Sequence, residues 1–150
     1  MVDITVELCK ELELLRDSIS SDVVAVAWID QGDNYFRWRY VTGCRSERYR
    51  RISFKSGYGV AGTAIRLGRT VTANPLVPGA SRLRQECALM LAEQLHSAVA
   101  IPLHDDSTPL PQGVLLIGNR SARIFLPQEL AVTEEVARQI ECMRHSEQAR

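Results

Sequence analysis

Three short runs, Val23 to Ile29, Ser97 to Leu103 and Gly113 to Gly118, are apolar at both odd and even positions, and they constrain the fold more than any other feature of the chain. Successive side chains of a strand point to opposite faces of its sheet. A strand apolar on both faces is therefore buried above and below, in the middle of a sheet covered on two sides. Helices at the two ends of the chain can supply one cover. Between Thr5 and Ile19 apolar residues recur at Val6, Leu8, Leu12, Leu15 and Ile19, the spacing of one helical face. A second such pattern, Leu130, Val132, Val136, Ile140 and Met143, runs to the C-terminus behind Pro127, which suits a first helical turn. Helices at both ends and hairpin-linked strands between them predict an α+β arrangement, an antiparallel sheet with the terminal helices on one face.

The remaining segments complete the sheet and its other cover. Asp30 to Asn34 is turn chemistry, so Tyr35 to Thr42 returns antiparallel to the first strand, with Phe36, Trp38, Tyr40 and Thr42 on one face. A basic loop, Gly43 to Arg50, leads to a short strand over Arg51 to Lys55, which Ser56 to Gly59 breaks. Val60 to Leu67 reads as a helix with Gly68 as its C-cap, and Thr70 to Thr72 as a small strand. After the Asn74-Pro75 and Pro78-Gly79 turns, Arg82 to Leu95 reads as one continuous helix through Leu83, Cys87, Met90 and Leu91. His104 to Gln112 reads as a loose hairpin connection. No repeat or linker interrupts the chain, so residues 1–150 are expected to form a single domain.

Charge and composition narrow the function. Lys plus Arg and Asp plus Glu number 18 each, so no net field draws the chain to nucleic acid or to an anionic membrane. No apolar run reaches the roughly 20 residues of a membrane helix, and the polar start Met1 to Lys10 is unlike a secretory signal; a cytoplasmic location is expected. Cys9, Cys44, Cys87 and Cys142 are scattered without a C-x-x-C pair, as are His96, His104 and His145, which predicts reduced thiols and no metal site. Lysine occurs only at Lys10 and Lys55, so the cations are nearly all forked guanidinium groups. Of these Arg37, Arg39, Arg45, Arg48, Arg50 and Arg51 cluster as a solvated face and loop, or as a patch for a protein partner.

The segments Gly57-Tyr58-Gly59-Val60-Ala61-Gly62, Gly68-Arg69-Thr70-Val71, Ser97 to Leu103, Gly113-Val114-Leu115 and Phe125 to Leu130 resemble the GAF family in order and spacing. The resemblance implies a six-stranded antiparallel sheet with the N- and C-terminal helices on one face and a ligand pocket on the other. Within that family, Arg37 to Gly43, Arg48 to Ile52 and Leu89 to Glu93 look like the free-standing nitrate receptors of Nre-type nitrate-regulated two-component systems. That likeness implies a non-enzymatic sensor of nitrate acting on a sensor histidine kinase in nitrate and oxygen control, with no cofactor and a possible homodimer through the terminal helices. Carried over position by position, it implies Trp38 as a pocket wall, Val60 and Ala61 as amide donors, and Leu89 and Met90 on the facing helix, Met90 adding an amide.

The chemistry of the residues bears on that ligand. Gly57 and Gly59 precede a helix whose first amides lack intrahelical acceptors and carry the positive end of its dipole, a natural anion seat. The same glycines are also what any tight turn there requires. Trp38 and Met90 are as readily ordinary core as ligand wall. Backbone donors without a converging cation suit a weakly hydrated monoanion such as nitrate, nitrite or a halide, and not a phosphate dianion. Two other functions stay open. A GAF-fold free methionine-(R)-sulfoxide reductase needs paired thiols, but Ala61 stands where that family has its first cysteine, and Cys87 lies alone on a predicted helix. A GAF interaction module with another small ligand, or with none, is the third.

Overall fold

Six strands form one antiparallel sheet in the order β3-β2-β1-β6-β5-β4, in the computed structural model, which describes residues 4–148. Met1 to Asp3, part of the polar start, and the last two residues lie outside the described residues. In chain order the elements are α1 (Ile4–Ile19), β1 (Val23–Ile29), β2 (Phe36–Thr42), a 3-10 turn (Arg48–Arg51), β3 (Ser53–Phe54), α2 (Gly59–Leu67), β4 (Val71–Ala73), α3 (Ala80–Gln85), α4 (Ala88–Ala92), β5 (Ser97–Asp105), β6 (Thr108–Asn119) and α5 (Pro127–Gln148). The three runs apolar on both faces are β1, β5 and β6, and they are neighbours at the centre of the sheet.

Each face of the sheet carries its own core. Towards α1 and α5 the strands present Val24, Val26, Trp28, Val99, Ile101, Leu103, Leu115 and Ile117. Leu8, Leu12, Leu15 and Ile19 of α1 and Val136, Ala137 and Ile140 of α5 close over them. Arg123 ties the two helices together: its guanidinium donates to the carbonyls of Ile19 at 2.5 Å and Ser20 at 2.8 Å, and pairs with Glu129 of α5 at 2.5 Å. Val6 and Val132, which the helical spacing assigned to the buried stripe, are exposed, because each lies off the line of its buried neighbours.

The opposite face is built from smaller side chains. Ala25, Ala27, Ala98 and Ala100 sit there with Val23, Val114 and Leu116, under α2, α3 and α4. Gly62 of α2 lies close against the incoming loop, where a Cβ would meet the Lys55 carbonyl oxygen at 2.5 Å.

Four expectations require correction. Arg82 to Leu95 is not one helix; it breaks between Gln85 and Ala88 into α3 and α4. Tyr40 leaves the face of Trp38, because Val26 pairs with Tyr40 and Ala27 with Trp38, so Arg39 is an extra residue and the pleat inverts across it. Tyr40 then joins the α1 side, and Val41 joins Trp38. The third strand shrinks to Ser53–Phe54, its expected start being taken up by the 3-10 turn. The β5–β6 connection is tight instead of loose: Asp105 pairs with Thr108, and the Ser107 amide donates to the Asp105 carboxylate at 2.8 Å, fixing a two-residue turn.

Candidate functional site

Two helices begin at one buried point on the small-residue face. In α2 the first helical bond runs from the Gly62 amide to the Tyr58 carbonyl at 3.1 Å, so the amides of Gly59, Val60 and Ala61 have no acceptor in their own helix. In α4 the first is from the Leu91 amide to the Cys87 carbonyl at 3.2 Å, which leaves those of Ala88, Leu89 and Met90. Neither N-cap residue, Tyr58 or Cys87, makes a capping bond with its side chain. Gly59, at φ +72°, allows the two starts to touch, since a Cβ there would lie 2.9 Å from both Cys87 Cα and the Glu86 carbonyl oxygen.

The focus of this arrangement is the sulfur of Cys87. Burial pushes the Cys87 thiol up, against the opposing pull of the Met90, Leu89 and Ala61 amides that face it. Those amides come from two different helices, so the positive ends of both point to the place where the sulfur sits. Trp38 of β2 belongs to the same apolar cluster. It is 4% exposed, its ring lies 5.3 Å from that of Phe54, and its buried indole Nε1 has no hydrogen-bond partner. An unmet buried donor costs about 1–3 kcal/mol, so it marks a place where an acceptor would be stabilising.

All five residues singled out in the sequence, Trp38, Val60, Ala61, Leu89 and Met90, fall in one cluster with Cys87 and Phe36. Val60, Leu89 and Met90 are wholly buried and Ala61 is 2% exposed, so the site is enclosed and not an open cleft. The break between α3 and α4 leaves the Met90 and Leu89 amides without an acceptor in their own helix, bonds that a continuous helix would have made.

Sequence reasoning missed three participants. Cys87 was placed inside a helix instead of at the start of one; cysteine is not among the usual capping residues, so nothing local signals the break. Glu93 and Arg120 form a buried ion pair at the far end of α4, with Arg120 Nη2 to Glu93 Oε1 at 2.7 Å. Arg120 Nε also donates to the Glu93 carbonyl at 3.0 Å, and the Arg45 amide donates to Glu93 Oε1 at 2.8 Å. This guanidinium is thereby committed to a carboxylate. Beside it burial, with help from Glu93 and against Arg120, pushes the Cys44 thiol up to about 12. The half-buried Cys44 and the buried Cys87 are thus both held neutral, the reverse of what a thiolate nucleophile needs. Among the described residues no group of three or more histidine, cysteine or carboxylate side chains is placed to hold a metal ion. Nor is any described helix long and apolar enough to cross a membrane.

The remaining arginines of the basic cluster divide. Arg37 pairs with Asp30 at 2.9 Å and Asp33 at 2.5 Å across the β1–β2 turn. Arg45, Arg48, Arg50 and Arg51 are exposed on the loop and 3-10 turn beside α4.

Comparison with known proteins bears on this site. The NreA protein of Staphylococcus aureus, in a structure mutated in its nitrate binding site, is 27% identical, with a TM-score of 0.67 over 81% of this chain and 88% of that one. The GAF domain of a phosphoenolpyruvate-protein phosphotransferase from Coxiella burnetii aligns with a TM-score of 0.80 at 18% identity, over 99% of this chain and 86% of that one. A free methionine-R-sulfoxide reductase from Neisseria meningitidis aligns at 0.75 and 19% identity, over 99% of this chain and 82% of that one. At such identities the last two show the fold alone. No curated protein matches by sequence. The model of the GAF domain matches residues 3–142, nearly the whole described sheet and both its covers, and the chain belongs to the GAF domain family.

Proposed function

We propose that the chain is a non-enzymatic receptor for a small, weakly hydrated monoanion, nitrate first, and that it regulates a sensor histidine kinase of a nitrate- and oxygen-responsive two-component system. The observation that carries this reading is the meeting of two uncapped helix starts at one buried point, in the same cluster as an indole N–H without an acceptor. The likeness to NreA, a protein with a nitrate binding site, supports the choice of anion. Val60, Ala61 and Met90 supply amides, while Trp38 and Leu89 form walls. Three or four hydrogen bonds to a charged ligand, at about 1.5–3 kcal/mol each, can offset the desolvation of nitrate. They cannot offset that of a phosphate dianion, for which a paired cation would be required.

Because the site is enclosed, the ligand enters by displacing α3 and α4, and its departure lets them relax. The exposed arginines Arg45, Arg48, Arg50 and Arg51 lie on the segment that Glu93 of the α4 end holds through the Arg45 amide, so this is the surface a kinase would read. Such a receptor works in the cytoplasm as one domain over residues 1–150.

Titration calorimetry with nitrate, nitrite, chloride and phosphate tests the ligand. Nitrate is expected to bind in the micromolar to millimolar range and phosphate not at all. Trp38→Phe, which removes the indole donor while keeping an aromatic wall, should weaken nitrate by about tenfold. Binding of phosphate as tight as nitrate, or of neither, would overturn the reading.

A further inference from the structure

A cleft of about 450 Å3 lies at the β4 edge of the sheet, between the loop that follows β4, helix α3 and the residue before β5. Its volume falls in the range of small-molecule sites, about 300–1,000 Å3. The loop wall is fixed by turn bonds: Asn74 Oδ1 accepts from the Leu76 amide at 2.8 Å, and the Asn74 carbonyl from the Val77 amide at 3.0 Å. Arg84 is held from the other side, its Nε donating to the Leu95 carbonyl at 2.7 Å.

The lining is unbalanced in charge and in donors. Arg84 is half-buried, and no carboxylate among the described residues pairs with it, whereas Arg82 of the same helix has Glu86. No aspartate or glutamate lines the cleft. Asn74 is 6% exposed, and with Oδ1 committed to Leu76 its Nδ2 bonds to nothing among the described residues. The Ser81 hydroxyl and the Gln85 amide stand in the same lining, and Pro75, Val77 and Ala80 add an apolar wall. A guanidinium engaged only through Nε keeps its two Nη groups for a forked pair with a carboxylate.

We propose that this cleft is a second binding site, separate from the nitrate seat, for a small organic monocarboxylate. Arg84 pairs with the carboxylate, Asn74 Nδ2, Ser81 and Gln85 supply neutral hydrogen bonds, and the apolar wall takes the body of the molecule. One guanidinium balances one negative charge. A phosphate dianion would exceed it, and a neutral molecule would leave the guanidinium without a counter-charge.

Amide NMR titration of the full chain with benzoate tests the site, with benzamide, of the same shape and uncharged, and inorganic phosphate as controls. Benzoate should bind at about millimolar concentration and shift the amides of Asn74, Ser81, Arg84, Gln85 and His96, with benzamide and phosphate at least about tenfold weaker. Ser81→Trp, at an exposed position on α3, fills the cleft without entering the core and should abolish these shifts. Arg84→Lys keeps the charge but loses the fork, and should weaken benzoate by about tenfold. If Arg84→Lys disturbs the fold, Ser81→Trp decides alone. Benzamide binding as tightly as benzoate would overturn the proposal, as would benzoate shifts that survive Ser81→Trp, or none up to the solubility limit. Neither variant touches the nitrate seat, so both should bind nitrate as wild type does. A nitrate affinity that falls with Ser81→Trp would place nitrate in this cleft and overturn the proposal.

Discussion

Replacing Arg120 with methionine strips a buried carboxylate of its partner, and the cost can be worked from the surroundings of the pair. The Glu93 side chain is 1% exposed and that of Arg120 17%, and Glu93 Oε2 already has no partner. Removing one member of a buried pair costs about 3–5 kcal/mol, since the surviving charge is left desolvated. Two features place this case near the lower end. The Arg45 amide still donates to Glu93 Oε1, and the partial exposure of Arg120 admits water to the space it leaves. The expected loss is therefore about 3 kcal/mol, which for a domain of this size lowers the melting temperature by about 6–12 °C. Glu93→Gln keeps an acceptor for Arg45 and should cost less, about 1–2 kcal/mol. The double change Glu93→Leu with Arg120→Met removes both charges and should return to within about 1 kcal/mol of wild type. Urea unfolding of wild type, Arg120→Met, Glu93→Leu and the double variant closes the cycle. If Arg120→Met lies within about 1 kcal/mol of wild type, or the double variant is worse than either single, the pair is not the closed unit described here.

The thiols should separate by burial: in the native protein at pH 8 the exposed Cys142 is alkylated first, the half-buried Cys44, held neutral, more slowly, and the buried Cys87 only as the fold opens, which peptide mass spectrometry resolves. Fast labelling of Cys87 would contradict its placement. The same thiols give an alkaline limit, because both are held up in the fold: their contribution is intact below the ordinary thiol value of about 9 and is lost as pH rises towards the 12 or so of Cys44, so Cys44→Ala should flatten the fall of the melting temperature above pH 9. At the acid end the Arg37 guanidinium, ahead of the Tyr35 amide, holds Asp33 down to about 2, so its contribution, present above 3.8, fades as pH falls from 3.8 through 2. Asp33→Asn should remove that step, and an unchanged acid profile would count against the turn geometry. Gly59→Ala forces a Cβ against Cys87 Cα at 2.9 Å from a left-handed conformation, and a loss of about 1–3 kcal/mol is expected in urea unfolding.

The outline of the fold was legible because it rests on patterns of solvent and core. Strands apolar on both faces had to be central, and β1, β6 and β5 are; amphipathic ends had to cover a face, and α1 and α5 do. What was illegible depends on one residue being out of step. The extra residue at Arg39 inverts the pleat, so Tyr40 and Val41 exchange faces, and no alternation in Tyr35 to Thr42 announces it. In the site, the glycines before α2 pointed to free amides, and likeness to a receptor family pointed to Trp38, Leu89 and Met90. Glu93 and Arg120 were not legible at all. They are 27 positions apart, and a buried pair of this kind exists only once the chain end of β6 is laid beside the end of α4.

The break at Cys87 gives this face a second helix start beside that of α2. Were residues 80–92 one helix, the amides of Leu89 and Met90 would bond to the carbonyls of Gln85 and Glu86, and only the first amides of α2 would be without helical acceptors on this face. The helix has to stop and start again, at a residue whose side chain does not satisfy the new start. It also has to do so against the start of α2, which requires Gly59 at the contact and alanines in β1 and β5 beneath it. At its other end α4 is tied to the residue after β6 by the Arg120–Glu93 pair and by the Arg120 Nε bond to the Glu93 carbonyl.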